Sequence, residues 1–236
     1  MIKKVVKKIA KKIINSLPSS IVLMLHQVTD GVNGELCYSI TESNLDSFTS
    51  RFENWASLED VAIKKVRHKI ALTFDDGFDD IYGRVYPICK RKNIPFTVFV
   101  TYSLLNTPGY LTKEHLVKLS NDPLVTIGSH NIRHLPLPTL SKEEQKLEIV
   151  NSKKLLEELI NKPVIFLAYP YGRNDKNTIK ILKKEKLYSR AFISTGIALN
   201  LYSMLTPYAL PRINLSNITI DACSSEIERL TVKRTR

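Results

Sequence analysis

The chain has 236 residues, of which 43% are hydrophobic and 25% are charged, an ordinary composition for a globular protein with a sizeable core. Cys37, Cys89 and Cys223 lie too far apart along the chain to form a zinc knuckle or a redox motif, so we expect free thiols in a reducing compartment. The net charge of +12 is compatible with nucleic acid, a membrane surface or phosphorylated substrates as partners, and composition does not choose among them.

A basic amphipathic helix is predicted for residues 1–18. Apolar residues recur at helical spacing from Ile2 to Leu17, six lysines fill the opposite face, and Pro18 ends the pattern. Lysines interrupt each apolar run, so the stretch does not resemble a secretory signal, and no later segment has the roughly 18 apolar residues of a membrane span. We expect a cytoplasmic protein that lies on an anionic membrane through residues 1–17, although a helix packed on its own domain would show the same pattern.

The rest of the chain, residues 19–236, alternates between apolar stretches and helical patterns. The predicted buried strands are 20–25, 69–74, 95–100, 124–128, 164–169, 190–195 and 209–215. Helices are predicted near 41–55, 79–91, 112–119, 141–159, 176–187 and 217–230. This alternation predicts a single α/β domain with a parallel sheet covered by helices, either an open sheet or a barrel.

The clearest predicted helix begins at Ser141. Ser141 and Glu144 have the spacing of a capping box, which favours a helix start at this point. Apolar residues then recur through the helix and predict its buried stripe: Leu147, Val150, Leu155 and Leu159.

Polar residues follow several predicted strands, where α/β proteins place their functional sites. Asp75 and Asp76 follow the second strand in IALTFDDGFDD, His130 and His134 follow the fourth, and His26 follows the first. Asp-Asp-Gly alone is also typical of a surface turn, but adjacent carboxylates repel unless a cation or a proton balances their charge. Two imidazoles and a carboxylate suit zinc or a similar divalent metal, so a metal site is predicted here.

Three stretches of this sequence, LTFDDGF, GSHNIRHLPL and LAYPYG, occur in the order found in a known family. They resemble the polysaccharide deacetylases of carbohydrate esterase family 4, the NodB-homology domain, over about residues 21–215. The resemblance implies an irregular (β/α)7 barrel in a single domain. It implies Asp75 as the catalytic base and a backbone N–H of Tyr171 as an oxyanion donor. The implied ligands of the divalent metal, most often zinc, are Asp76, His130 and His134.

Three positions depart from the pattern of the family. Ala168 stands where an arginine commonly orients the base, so Arg212 is a candidate for that role. Asn131 replaces the usual Ser or Thr between the two histidines, and it retains hydrogen-bonding capacity. No histidine follows His134, so the catalytic acid is assigned to His26, as in the branch that resembles biofilm poly-N-acetylglucosamine deacetylases.

The same motifs predict the substrate-binding residues. These are Tyr169, Pro170, Asn131 and Arg133, with contact to solvent alone as the alternative for Arg133. A metal-activated water, an aspartate base and a histidine acid together suit amide hydrolysis. We therefore expect a metal-dependent hydrolase that removes an N-acetyl group from a sugar in bacterial surface-glycan synthesis.

Other functions stay open at the level of sequence. A deformylase of a lipid-linked amino sugar would use the same residues, and a metal-dependent glycosyltransferase would use a carboxylate cluster but would not explain two histidines. A non-catalytic membrane-binding or carbohydrate-binding module would not need a base, metal ligands and an acid. Nucleic-acid binding is not expected, because no aromatic-basic recognition motif is present. A cytoplasmic setting would favour a nucleotide-linked or lipid-linked sugar as the substrate.

Overall fold

A computed structural model describes residues 20–31, 38–194, 199 and 206–231. The basic helix predicted for residues 1–18 lies outside the described residues, and so does Cys37. Within the described part of the chain, no helix is long and apolar enough to cross a membrane.

Parallel β-strands form the centre of the fold. The strands are β1 (Ile21–Leu25), β2 (Gln27–Thr29), β3 (Ser39–Thr41), β4 (Ile70–Phe74), β5 (Phe96–Val100), β6 (Val125–Ser129), β7 (Phe166–Ala168), β8 (Arg190–Phe192) and β9 (Ile213–Asn214). Seven of them form one sheet in the order β8-β7-β6-β5-β4-β1-β9, and β2 pairs with β3 separately. Each of the neighbouring pairs in both sheets is parallel.

Helices alternate with these strands, as the sequence predicts. They are α1 (Glu42–Ser50), α2 (Leu58–Ala62), α3 (Tyr86–Lys92), α4 (Lys113–Ser120), α5 (Lys142–Ile160), α6 (Lys176–Glu185) and α7 (Ile220–Thr231). The helix predicted near 79–91 begins instead with a π-helical turn, Ile81–Val85, that leads into α3. The predicted strand 209–215 contributes only the short β9 to the sheet.

The sheet is curled, and one segment contacts both of its edges. Before β9, the chain runs along β8, where the Ala191 N–H donates to Pro207 O and the Ile193 N–H donates to Leu210 O, each at 2.9 Å. The same segment then enters β9, in which Ile213 lies opposite Leu23 of β1. The predicted single domain of the (β/α)7 type is therefore confirmed.

The central strands are apolar and buried on both faces, as expected when helices cover a parallel sheet. All residues of β1, β4 and β5 are buried. Gly128 in β6 is required by this packing, because a Cβ at this position would lie 2.5 Å from the Phe99 ring. The tightly packed sheet provides a rigid base for the loops at its carboxyl-terminal edge.

Helix α5 begins as predicted, but its buried face is different. Ser141 and Glu144 form the capping box. The predicted buried stripe lies on a different face of the helix from the observed one, and Leu147 is 56% exposed. The buried residues are Gln145, Glu148, Ile149, Ser152, Leu156 and Ile160. Three of these are polar and have hydrogen-bond partners in the interior, so a search for apolar residues alone does not find this face.

Candidate metal and catalytic site

The carboxyl-terminal edge of the sheet brings together the residues that the sequence singles out. Asp75 and Asp76 follow β4, and the Asp75 N–H donates to Leu25 O at the end of β1, next to His26. On the other side of β4, the His130 N–H donates to Val100 O at the end of β5. The ends of adjacent parallel strands thus bring residues from distant parts of the chain close together.

Asp76, His130 and His134 form a cluster that is suited to a metal ion. Their ligand atoms all lie within 4.8 Å of one another. Asp76 Oδ1 lies 3.0 Å from His134 Nε2 and 3.4 Å from His130 Nε2, yet within the described part of the chain this buried oxygen makes no hydrogen bond of good geometry. Two imidazole nitrogens and one carboxylate oxygen match the donor set of a catalytic zinc site, which keeps a further position for water or substrate. The residues present therefore fit a divalent ion.

His130 is oriented by the backbone of β7. Its Nδ1 lies 2.8 Å from Ala168 O, so Nδ1 carries the proton and Nε2 presents its lone pair towards Asp76. Burial lowers the pKa of His130, but the carboxylates of Asp75 and Asp76 outweigh burial and raise this pKa above its usual value. The negative charge that favours a proton on this ring also favours a cation at the same place.

Asp76 shares this electrostatic environment. Burial raises the pKa of its carboxyl group, but the imidazoles of His130 and His134 outweigh burial and hold the pKa far below its usual range. Asp76 therefore stays ionised, which is the state that a metal ligand needs.

The cluster is built on unusual backbone conformations. Asp76, Asn131, His134 and Tyr171 all have left-handed φ angles, of 71°, 64°, 55° and 57°. Such angles are uncommon for residues other than glycine, and they persist only where the surrounding structure enforces them. They turn the chain sharply after each strand, so that the metal-binding side chains point towards one another.

Asp75 is buried and paired with Arg212. Guanidinium Nη1 donates to Oδ1 and Nη2 donates to Oδ2, both at 2.6 Å, and Arg212 also donates to Thr73 Oγ1 at 3.2 Å. Burial raises the pKa of Asp75, but the Arg212 charge outweighs burial, so the pKa stays below its usual value. Arg212 thus lies where it can orient Asp75, as the absence of an arginine at Ala168 predicts.

His26 lies on the same side as Asp75. Burial lowers its pKa, against the opposing effects of Asp75 and Asp76. Its buried Nδ1 has no hydrogen-bond partner among the described residues, and the edge of its ring meets Tyr38 with 5.3 Å between ring centroids. A mostly neutral imidazole therefore adjoins the Asp75 carboxylate.

Three of the four residues predicted to bind substrate have buried side chains, and their contact with substrate stays a prediction. Tyr169 is fully buried and its hydroxyl donates to Tyr208 O at 2.8 Å, and the side chains of Pro170 and Asn131 are buried as well. A left-handed residue turns each of these loops, which places the side chains in the core. Arg133 is half exposed, but it pairs with the buried Glu148 rather than pointing freely into solvent.

Aromatic rings near the site were missed by the sequence analysis, which named Tyr171 only for its backbone N–H. Tyr171 is 60% exposed and its ring centroid lies 4.8 Å from that of His134, on the metal side. Tyr38 is 51% exposed and adjoins His26 on the other side. Phe78 stacks on Tyr110 at 4.9 Å between ring centroids. No local sequence signal distinguishes these aromatics from core residues, because only the fold brings them to this edge.

Two carboxylates near the site were also missed, of which Asp80 is partly buried and Glu148 is fully buried. Asp80 accepts a hydrogen bond from the Val28 N–H at 2.6 Å, and Glu148 accepts hydrogen bonds from the loop between the two histidines. Asp80 belongs to the stretch TFDDGFDD, but its sequence position resembles that of an ordinary surface turn. Glu148 lies in a helix with many exposed acidic residues, so its burial leaves no signal in the sequence.

Comparison with known proteins matches this chain to polysaccharide deacetylases. The family model described as polysaccharide deacetylase matches residues 62–189. YxkH of Bacillus subtilis, a protein named for the same family, is 27% identical over 201 residues, which cover 83% of this chain and 71% of that protein. The poly-beta-1,6-N-acetyl-D-glucosamine N-deacetylase of Staphylococcus epidermidis is 27% identical over 177 residues, or 68% of this chain and 59% of that protein.

Solved structures share the fold. The Streptococcus pyogenes deacetylase PplD, solved in complex with acetate, superposes with a TM-score of 0.79 at 21% identity. The match covers 90% of this chain and 100% of that chain. At this level of identity the match establishes the architecture alone.

Proposed function

Because the chain belongs to the polysaccharide deacetylase family, we propose that it is a metal-dependent hydrolase that removes N-acetyl groups from a bacterial surface glycan containing N-acetylglucosamine. The observation that carries this proposal is the cluster of Asp76, His130 and His134 beside the Asp75–Arg212 ion pair. The Staphylococcus epidermidis relative, which is named for poly-beta-1,6-N-acetyl-D-glucosamine, supports the choice of sugar. The deformylase, glycosyltransferase and binding-module alternatives gain no support.

Asp76, His130 and His134 would hold the ion, and zinc is the metal we propose. When bound, a divalent ion lowers the pKa of a coordinated water to about 7 and polarises a carbonyl group. The ligands contribute fixed geometry, because Ala168 O orients His130 and the left-handed backbone orients His134.

Asp75 would act as the general base that accepts a proton from the attacking water. A base must be ionised and correctly oriented, and the two hydrogen bonds from Arg212 provide both conditions. Arg212 is fully buried and stacks over the Phe99 ring at 5.1 Å from its centroid, so the pair is held rigidly. Arg212 is therefore assigned as a positioning residue.

His26 would act as the general acid that protonates the departing amine. Its burial lowers its pKa, so the protonated imidazole gives up its proton readily, while the nearby Asp75 and Asp76 carboxylates favour proton uptake. We keep the Tyr171 backbone N–H as the proposed donor to the developing oxyanion. The exposed Tyr171 ring, together with that of Tyr38, offers apolar faces on which sugar rings can pack.

The proposal is tested by product analysis. Purified protein is loaded with zinc and incubated with N-acetylglucosamine oligomers linked β-1,6, and acetate is quantified by mass spectrometry. We expect acetate to be released, with Asp75→Asn as the inactive control. Formate release from an N-formyl sugar, without acetate release, would overturn the proposal in favour of a deformylase. Nucleotide-linked and lipid-linked N-acetyl sugars are run in parallel to identify the carrier.

We propose in addition that residues 1–17 hold the protein reversibly on the inner, anionic face of a membrane. The support is the sequence pattern of lysines opposite Ile and Val. Sedimentation with anionic liposomes, comparing the full chain with one that starts at Ser19, tests this association. If both proteins stay in the supernatant at low salt, membrane binding through residues 1–17 is wrong.

A further inference from the structure

The loop between the two histidines rests on a buried carboxylate. Glu148 of α5 is only 2% exposed, and its Oε2 accepts hydrogen bonds from the Ile132 N–H at 2.8 Å and the Arg133 N–H at 3.2 Å. Its Oε1 accepts a hydrogen bond from Arg133 Nε at 2.5 Å. A single side chain thus binds two consecutive backbone groups and one side chain of the loop.

A buried carboxylate is costly unless its charge and its lone pairs are satisfied. Here the Arg133 guanidinium balances the charge of Glu148, and two backbone N–H groups supply charge-assisted hydrogen bonds. The paired Arg133 remains half exposed, so it covers Glu148 at the surface. The complete set of partners indicates that Glu148 is adapted to this loop and is not an accidental buried acid.

The loop needs such support because its backbone is strained. Asn131 and His134 both have left-handed φ angles, and they flank the two residues whose N–H groups Glu148 binds. On its other side the loop is held by the short 3-10 turn Tyr102–Leu104, in which the Tyr102 N–H donates to Asn131 O and the Ser103 N–H donates to Ile132 O. The loop is therefore held from two directions. On the α5 side the contacts to Ile132 and Arg133 come from one side chain, Glu148, which can be replaced.

We propose that Glu148 is a positioning residue for the metal site, which fixes the loop so that His130 and His134 present their Nε2 atoms at the separation that a zinc ion requires. This inference rests on the metal dependence in the proposed function. It adds a residue from α5, outside the three motifs, that acts through the backbone of the loop. Supports of metal ligands typically change metal affinity by about 10- to 100-fold when they are removed.

Zinc affinity is the quantity to measure. The metal-free full chain is titrated with zinc against a chromophoric chelator, and its thermal unfolding is recorded without metal. We expect Glu148→Ala to weaken zinc binding by about 10-fold or more. Glu148→Gln retains an oxygen that can accept the Ile132 N–H, so we expect it to restore part of the affinity and to fold even if Glu148→Ala does not.

Gln145→Ala is a matched control. Gln145 lies on the same buried face of α5, but its side chain bonds to Leu140 O and to Thr178, not to the loop between the histidines. We expect this variant to lose thermal stability while keeping the zinc affinity of the wild type. The absorption spectrum of bound Co²⁺ should change in Glu148→Gln and remain unchanged in Gln145→Ala, because it reports the geometry of the ligands.

The outcomes separate the inference from the function on which it rests. If the wild type binds zinc and both Glu148 variants bind zinc with the affinity of the wild type, the positioning role is overturned and the proposed function stands. The same conclusion follows if Glu148→Gln loses no more zinc affinity than Gln145→Ala does. A wild-type protein that binds no zinc overturns both proposals.

Discussion

The two halves of the site are held in different ways. The metal half consists of Asp76, His130 and His134, which lie in two short loops with left-handed backbone. The proposed acid–base half consists of Asp75, His26 and Arg212, which come from distant parts of the chain and meet through burial and a bidentate ion pair between Asp75 and Arg212. The metal half therefore depends on loop conformation, and the acid–base half depends on charge balance.

This difference predicts which changes each half tolerates. A change that removes a charge from the acid–base half leaves a buried partner unpaired, which lowers the free energy of unfolding of the whole domain. A change in the support of a metal-binding loop alters metal affinity more than global stability.

Arg212→Met should produce the largest loss of stability. It leaves the buried Asp75 carboxylate without its partner, and breaking a buried pair in this way costs about 3 to 5 kcal/mol. Denaturant unfolding of the metal-free protein measures this loss. The double variant Arg212→Met/Asp75→Asn removes both charges, so it should recover much of the stability. A double variant no more stable than Arg212→Met would show that charge balance is not what holds this half.

Asp75→Asn should abolish the proposed proton transfer while leaving the metal in place. Loss of a general base lowers turnover by about 10²-fold or more. Zinc content should equal that of the wild type, because Asp75 is not among the clustered ligands. Normal turnover in this variant would show that Asp75 is not the general base.

His26→Ala should distinguish two kinds of substrate. An amine leaves only after protonation, so we expect acetamide hydrolysis to fall by about 10²-fold. An activated acetate ester has a leaving group that needs little protonation, so its hydrolysis should fall much less. Equal losses on amide and ester would indicate a structural role for His26.

Asp80 should give the smallest effect, visible as a pH dependence of stability. Burial raises its pKa to about 7, while its Oδ2 accepts the Val28 N–H two residues beyond His26. Because the folded pKa lies above the unfolded value of 3.8, the stabilising contribution of protonated Asp80 is complete below that value and is lost as the pH rises towards 7.

Asp80→Asn should remove this dependence, since an amide oxygen can still accept the Val28 N–H. The raised pKa is equivalent to about 4 kcal/mol, and the partial solvent exposure of Asp80 reduces this value. Relative to the wild type, we therefore expect the free energy of unfolding of the variant to rise by about 2 kcal/mol between pH 4 and pH 8. Urea unfolding at several pH values measures this difference. Parallel pH profiles of the two proteins would contradict the prediction.

The sequence predicts the metal half better than its surroundings. Asp76, His130 and His134 lie in short motifs, and the fold brings them together as expected. The pairing of Arg212 with Asp75 was predictable because Ala168 leaves the base without an arginine. These predictions depend on short motifs and on the missing arginine at Ala168, for which Arg212 is the substitute.

Features set by tertiary packing were not predictable. Tyr169 and Asn131 have polar side chains and lie within the motifs of the site, yet both side chains are buried in the core. Leu147 fits a helical apolar pattern, but the buried face of α5 carries Gln145 and Glu148, because their partners are supplied by other elements. Only the three-dimensional arrangement shows which polar residues have partners inside.

Metal content decides whether Asp76, His130 and His134 bind an ion. Purified protein is equilibrated with zinc, freed of unbound ion and assayed by elemental analysis, alongside His130→Ala/His134→Ala and Asp75→Asn. We expect one zinc ion per chain in the wild type and in Asp75→Asn, and none in the double histidine variant, because that variant lacks two of the three clustered ligands and Asp75 is not one of them. Equal zinc in the wild type and the double histidine variant would contradict the metal site and the mechanism built on it.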